Sequence, residues 1–185
     1  DQDCDVKNFK SFFPKIIERM NFTSDLHVLS HIPFDTLDYT SGTINKGSKA
    51  IFLGIGEKKR ELPTEFSGQF QNSCFTDAKV FCPGALTVSG KSFSKKDDLK
   101  NLLTTESCVQ NWPFVFLVDD AQDATQTSED FIWNCFTRFD PASDITAKEI
   151  TPEKFHFGLT PPIVIDCRMK SWYPKILEPD PQTVK

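Results

Sequence analysis

Residues 113–120 read Pro113-Phe114-Val115-Phe116-Leu117-Val118-Asp119-Asp120. From Phe114 to Val118 every side chain is apolar, and the run stops on two aspartates. A strand with one face in water alternates apolar and polar residues. A strand covered on both faces does not, and parallel strands are the ones so covered. This stretch therefore sets a parallel strand inside a sheet with helices on both faces.

The flanks extend that reading. Downstream, Thr127-Ser128-Glu129-Asp130 offers a capping hydroxyl and first-turn carboxylates for a helix running to about Phe136. Pro162 to Cys167 reads as a further strand, ahead of a tail bearing Pro174, Pro179 and Pro181. Upstream, Lys79–Cys82 and Ala85–Val88 read as short strands around a Pro83-Gly84 turn. Asp97–Val109 carries Leu99, Leu102, Leu103 and Val109 at helical spacing.

Nearer the N-terminus, residues 7–20 place Phe9, Phe12, Phe13, Ile16, Ile17 and Met20 on a helical repeat that Pro14 is expected to break or kink. Leu26, Val28 and Ile32 suit a strand, and Thr40–Gly47 a polar turn. Ala50–Ile55 suits a second buried strand closed by Gly54 and Gly56, and Lys58–Glu65 a surface loop or one helical turn. Strands separated by helices give the fold class: α/β, a layered sandwich with a mixed, mostly parallel sheet and helices on both faces. With no internal repeat or linker, residues 1–185 are expected to form one domain.

Composition narrows the function classes. Lys plus Arg is 21 and Asp plus Glu is 26, giving a net charge of −5. A phosphate-tracking surface needs a clustered basic excess, so no nucleic-acid partner is expected. No apolar run approaches the roughly 20 residues of a membrane-spanning helix, so no transmembrane segment is expected. With no apolar leader visible, the cytoplasmic compartment is the default. Phe occurs 18 times against two Met, so rigid rings must build the core. The chain opens on Asp1 without an initiator Met, which fits a processed chain or a domain excised from a longer one.

Of the six cysteines (Cys4, Cys74, Cys82, Cys108, Cys135 and Cys167), Cys135 and Cys167 lie in apolar runs, and reduced core thiols are expected over a disulfide framework. No Cys-x-x-Cys pair is present and no metal site is expected. A secreted, disulfide-bonded domain is the outlying alternative, resting on the even cysteine count and the Asn21-Phe22-Thr23 sequon.

Other motifs are sparse. Gly54-Ile55-Gly56 lacks the third glycine of a dinucleotide loop, and Gly47-Ser48-Lys49 lacks the upstream glycine of a phosphate loop. His27 and His31 would share a strand face, without a third ligand nearby. Asp119 and Asp120 stand where α/β proteins bind ligands, but aspartate also ends strands by forming turns. The two readings stand level. In Thr137-Arg138-Phe139-Asp140-Pro141, Pro141 is expected to stop a helix at the preceding residue.

Three segments together resemble the C-terminal domain of the UbiD-type decarboxylases. The first runs through Asp25-Leu26-His27-Val28, Asp35-Thr36-Leu37-Asp38-Tyr39-Thr40, Gly47-Ser48-Lys49 and Arg60-Glu61-Leu62-Pro63. The second joins Phe131-Ile132-Trp133 to Thr137-Arg138-Phe139-Asp140-Pro141-Ala142-Ser143-Asp144. The third is Pro161 to Lys170, continuing to Leu177-Glu178-Pro179-Asp180-Pro181. The matched motif residues are Asp38, Gly47, Ser48, Lys49, Thr137, Arg138, Asp140, Pro141 and Asp166.

The resemblance implies a non-oxidative carboxy-lyase acting on aromatic or α,β-unsaturated acids. Its cofactors would be prenylated FMN, a divalent metal and K+, held by an upstream flavin-binding domain of the same protein. A C-terminal domain of this kind closes over the active site and contributes to homo-oligomer contacts. Phe155, Phe157 and Leu159 follow the Thr-Arg-x-x-Pro segment where such domains line the substrate, although core packing is their other reading. Arg138 and Asp140 would pin that loop. The family's Glu-Arg-x-x-x-Glu is absent: Arg60-Glu61-Leu62-Pro63-Thr64-Glu65 has the order reversed, so no catalytic residue is assigned. The chain alone is expected to hold no cofactor and to be inactive. The alternative is a binding or oligomerisation module with the same fold and no catalytic partner.

Overall fold

The computed structural model describes residues 4–154 and 156–175. Helix α1 (Phe9–Arg19) opens the chain, capped by Asn8 accepting from the Ser11 N–H. Strands β1 (Leu26–Pro33) and β2 (Lys46–Phe52) form a separate two-stranded antiparallel ribbon. Strands β3 (Phe75–Cys82) and β4 (Ala85–Gly90) form a hairpin, followed by α2 (Leu99–Thr105) and β5 (Phe114–Val118). Three short helices follow: α3 (Ala121–Ala124), α4 (Ser128–Phe131) and α5 (Pro141–Asp144). Strands β6 (Ile145–Glu153) and β7 (His156–Asp166) close the fold.

The main sheet is mixed, with strand order β3-β4-β5-β7-β6. Parallel pairing is confined to the two central ladders, β4–β5 and β5–β7, and antiparallel pairing to the edges. Every residue of β5 is buried, as its continuous apolar run requires. Successive side chains of a strand face opposite ways. Phe114, Phe116 and Val118 accordingly join one apolar cluster, while Val115 and Leu117 join another. The first cluster is closed by α1 through Phe13 and Ile17, by α3 through Ala121 and Ala124, and by Phe131 of α4. The second is closed by Leu99 and Leu103 of α2 and by Trp112. Phenylalanine dominates the first: Phe81 and Phe131 stack at 3.7 Å, and Phe116 meets Phe131 edge-on at 4.9 Å.

Several local expectations are corrected. α1 runs unbroken through Pro14, because Phe13 and Ile17 on either side of the proline are anchored in the core. The second strand begins at Lys46 and stays half-exposed, with Ile55 outside it and open to solvent. The Asp97–Val109 helix splits into α2 and a 3-10 turn at Ser107–Val109. The helix capped by Thr127 changes after one turn into a π-helical stretch, Ile132–Phe136. Pro141 starts a helix instead of ending one, since its missing N–H costs nothing at the first helical position. Strand β6 was not expected, and β7 begins six residues earlier than Pro162.

Two glycines are dictated by geometry. Gly84 turns the β3–β4 hairpin at φ +81°, a left-handed value that side chains resist. Gly54 lies so close to α1 that a Cβ there would fall 2.4 Å from the Ile16 Cα.

Candidate functional site

The parallel strands β5 and β7 end side by side, and open α/β sheets bind ligands at such carboxyl edges. Asp119 follows β5, and Asp166-Cys167-Arg168-Met169-Lys170 spans the end of β7 and the turn after it. The Asp119 carboxylate accepts from the Met169 N–H at 2.8 Å, tying the two exits together. Asp120 caps α3 by accepting from the Asp123 N–H. Of the two readings left level for this pair, the turn is what Asp120 does.

Beneath this edge lies a ladder of buried charges. Arg168 is fully buried, and its guanidinium donates to both Asp166 oxygens (2.9 and 2.7 Å), both Asp97 oxygens (3.1 and 3.2 Å) and the Lys91 carbonyl (2.9 Å). Burial works against this charge, but Asp166 and Asp97 outweigh it and push the guanidinium pKa above its ordinary value. Burial also opposes the Asp97 charge, and the bonds from Arg168 overcome it to hold the carboxyl below the usual range.

Lys170 is the second rung. Its ammonium pairs with Asp144 at 3.0 Å and donates to the carbonyls of Arg138 (2.7 Å) and Asp166 (3.0 Å). Burial pushes the Asp144 carboxyl up, with Lys170 pulling back. Asp144 also accepts from the Asp140 N–H at 2.7 Å, which fixes the entry to α5. The Tyr173 hydroxyl lies 2.8 Å from the Arg138 carbonyl and 3.2 Å from the Thr40 carbonyl. Burial, reinforced by Asp144, raises the pKa of this phenol, so it stays a donor shared between two loops.

Above the ladder two adjoining clefts open, of about 470 and 580 Å³. Tyr39, Trp133 and Thr137 line both. Asp35, Leu37, Asp38, Thr40 and Phe136 complete the first; Arg138, Met169, Tyr173, Pro174 and Lys175 complete the second. Trp133 reaches the clefts from the π-helical stretch, a local irregularity frequent at functional sites. Thr137 donates to the Trp133 carbonyl at 2.6 Å and closes that stretch.

The motif residues fall into groups. Thr137 and Arg138 line the second cleft, and Asp38 lines the first while accepting from the Thr40 N–H and hydroxyl. Ser48, Asp140 and Pro141 meet below: the Ser48 hydroxyl donates to Asp140 and accepts from the Ala142 N–H at 2.8 Å. Asp166 belongs to the ladder. Gly47 pairs with Ile32 across the ribbon, and Lys49 lies over the Phe34 ring, 5.1 Å from its centre.

The residues expected to line substrate are not among those lining the two clefts, as far as they are described. Leu159 is in the first apolar cluster, Phe157 is 62% exposed opposite Pro152 at the hairpin end of β7, and Phe155 lies outside the described residues. His31 falls in the β1 bulge, and His27 stands 6.2 Å from the His156 ring. Sequence reasoning missed Tyr39, Trp133, Met169 and Tyr173 as cleft residues, and Asp97 as a partner of Arg168. The readable signal was Asp166-x-Arg168-x-Lys170, three charges directly after an apolar strand.

All six cysteines are free thiols; Cys82, Cys135 and Cys167 are buried, and burial pushes Cys82 up to about 12. Among the described residues no group of three or more His, Cys, Asp or Glu could hold a metal ion, and no helix is long and apolar enough to cross a membrane.

Comparison with known proteins finds a family model and several relatives that match the sequence. Residues 1–54, which carry α1 and the β1–β2 ribbon, match the model for the 3-octaprenyl-4-hydroxybenzoate carboxy-lyase C-terminal domain. A protein of Chlamydia trachomatis serovar D is 40% identical over 185 residues, covering 99% of this chain. A Chlamydia pneumoniae protein named as one of the subunits of 4-hydroxybenzoate decarboxylase is 36% identical over 183 residues, again 99% of this chain. The chain spans 31% of the length of each relative. No solved structure matches. Both likenesses are to the UbiD-type decarboxylases: residues 1–54 match the model of their C-terminal domain, and nearly the whole chain is similar to a relative named as a decarboxylase subunit.

Proposed function

We infer that residues 1–185 form a single domain that closes over, and helps assemble, a UbiD-like non-oxidative carboxy-lyase acting on an aromatic or α,β-unsaturated acid. The observation that carries this reading is the 36% identity, along nearly all of this chain, to a relative named as part of a decarboxylase. The aromatic clefts at the carboxyl edge of the sheet support it, because Leu37 and Trp133 present apolar surface there that a neighbouring domain can cover.

Decarboxylation of this class needs an electron sink, which prenylated FMN supplies when bound. The described residues do not suit the accompanying divalent metal, since no acidic or histidine cluster of the necessary size is present among them. Flavin, metal and K+ accordingly belong to the upstream flavin-binding domain in this reading, and the chain alone is inactive. The working protein is a cytoplasmic homo-oligomer. Thr137, Arg138, Asp140, Pro141 and Ser48 keep the cleft wall in register, with Asp38 shaping its opposite lip. Gly47, Lys49 and Asp166 are framework. Phe155, Phe157 and Leu159 remain the proposed substrate-lining residues, with Phe157 reaching substrate or the flavin domain from the β6–β7 end and Leu159 packed in the core behind it.

The test is the absorption spectrum of the full-length protein purified with a source of prenylated flavin. Bound flavin absorbance is expected. A colourless protein that fails to take up the cofactor would favour the second reading, a non-catalytic docking module.

A further inference from the structure

Four strands in this fold have one long side with no strand beside it: β3 and β6 at the ends of the main sheet, and β1 and β2 of the ribbon. Such an edge presents unpaired N–H and C=O groups to other chains, and proteins blunt it with bulges or proline. β3 is bulged near both ends, β1 is bulged between Leu29 and Ile32 and ends on Pro33, and β6 carries Pro152. β2 has neither device along Lys46–Phe52. The Leu53 N–H donates to the Asp25 carbonyl at 2.9 Å, one step beyond the Leu26–Phe52 pair. Antiparallel strands exchange bonds at alternate pairs, so Lys49 and Ile51 bond to β1. The N–H and C=O groups of Ala50 and Phe52 therefore point away from β1, and among the described residues they have no hydrogen-bond partner. Side chains alternate too: Leu26, Ala50 and Phe52 pack inward on the first apolar cluster, leaving His27, Leu29, Lys49 and Ile51 on the outer face. Leu29 and Ile51 are 49% and 46% exposed there.

We propose that β2 accepts an added strand from a partner protein, an extended segment whose outward positions alternate apolar and acidic residues. Main-chain bonds to Ala50 and Phe52 hold such a strand, and its side chains give it specificity. The charges on the ribbon select the partner. β1 and β2 carry Lys46, Lys49 and two histidines and no carboxylate, in a chain of net charge −5. An acidic residue opposite Lys49 and an apolar one opposite Ile51 complete the outer face as cross-strand pairs. A second copy of β2 would bring two further lysines against these two, and like charges on facing strands repel. An anionic lipid surface would be repelled by the net charge and would leave the edge amides unbonded. The inference goes beyond the decarboxylase reading and does not depend on it.

The test is nuclear magnetic resonance of the 185-residue chain titrated with the acetylated and amidated peptide Thr-Val-Ser-Glu-Ser-Val-Thr, and with the same peptide carrying Lys in place of Glu. Saturable shifts of the amides of residues 46–52 by the glutamate peptide are expected in the millimolar range, with the lysine peptide at least roughly threefold weaker. Exchange of the Ala50 and Phe52 amides should slow by roughly tenfold on binding, while Lys49 and Ile51, already bonded to β1, change little. Lys49→Glu should reverse the preference between the two peptides, which a loss of fold cannot do. No saturable shift, equal binding of the two peptides, or shifts confined to other residues would overturn the proposal. So would protection of Ala50 and Phe52 that rises with the concentration of the chain alone, which assigns the edge to a second copy. Protection that appears on adding phosphatidylserine vesicles, or that the full-length protein already shows, would overturn it in favour of a membrane or of another part of the same molecule.

Discussion

Arg168 and Asp97 lie 71 residues apart in sequence and share two hydrogen bonds beneath the cleft. A fully buried guanidinium is tolerable only because carboxylates surround it, so removing the cation strands them. Replacing Arg168 with Met should destabilise the domain by about 3–5 kcal/mol, the usual cost of leaving a buried charge unpaired. The Asp97 side has a distinct pH signature. Its carboxyl is held below the ordinary value, so its contribution is present above pH 3.8 and is lost as pH falls through the folded-state pKa. Asp97→Asn should cost about 1.5–3 kcal/mol at neutral pH, as for a hydrogen bond to a charged group. Urea titrations at a series of pH values check this: the gap between wild type and variant should close progressively below pH 3.8. A gap that stays constant with pH would mean that Asp97 acts by packing alone.

Strand β5 could be read directly, because five consecutive apolar residues leave a two-faced buried strand few alternatives. Strand β6 could not. From Lys148 to Glu153 it is exposed, and it carries Pro152, both typical of a sheet edge, so its residues read as loop. The same limit hid Ser48. In sequence it is a polar residue in a glycine-bearing stretch; in the fold its hydroxyl joins β2 to the entry of α5, 92 residues away. That junction fastens the ribbon carrying Asp38 and Tyr39 to the loop carrying Arg138. Ser48→Ala leaves the Asp140 carboxylate and the Ala142 N–H without that partner, at a cost of about 1–3 kcal/mol. Hydrogen exchange should report it as faster opening of residues 46–52, with the β4–β5–β7 centre unchanged. Equal loss of protection across both sheets would show that the ribbon is not a separable element.

At the scale of the molecule, the fold class and the family were both legible, the first from hydrophobic runs and the second from motif segments. The cleft was legible only in part. Thr137, Arg138 and Asp38 stood in recognisable motifs, but Tyr39, Trp133 and Tyr173 come from three distant stretches of the chain and meet only in the fold. Of the apolar lining expected after the motif, Phe157 and Leu159 lie near the start of β7, an 11-residue strand whose other end, at Asp166, adjoins the cleft. What joins these scales is the reading of the chain as the closing domain of a carboxy-lyase. Its direct test is release of labelled CO2 from carboxyl-labelled 4-hydroxybenzoate by the full-length protein loaded with prenylated flavin. Steady release that stops when the acid or the cofactor is withheld is expected. Flavin-loaded protein that releases no label from this acid, or from any other aromatic or α,β-unsaturated acid, would contradict the reading.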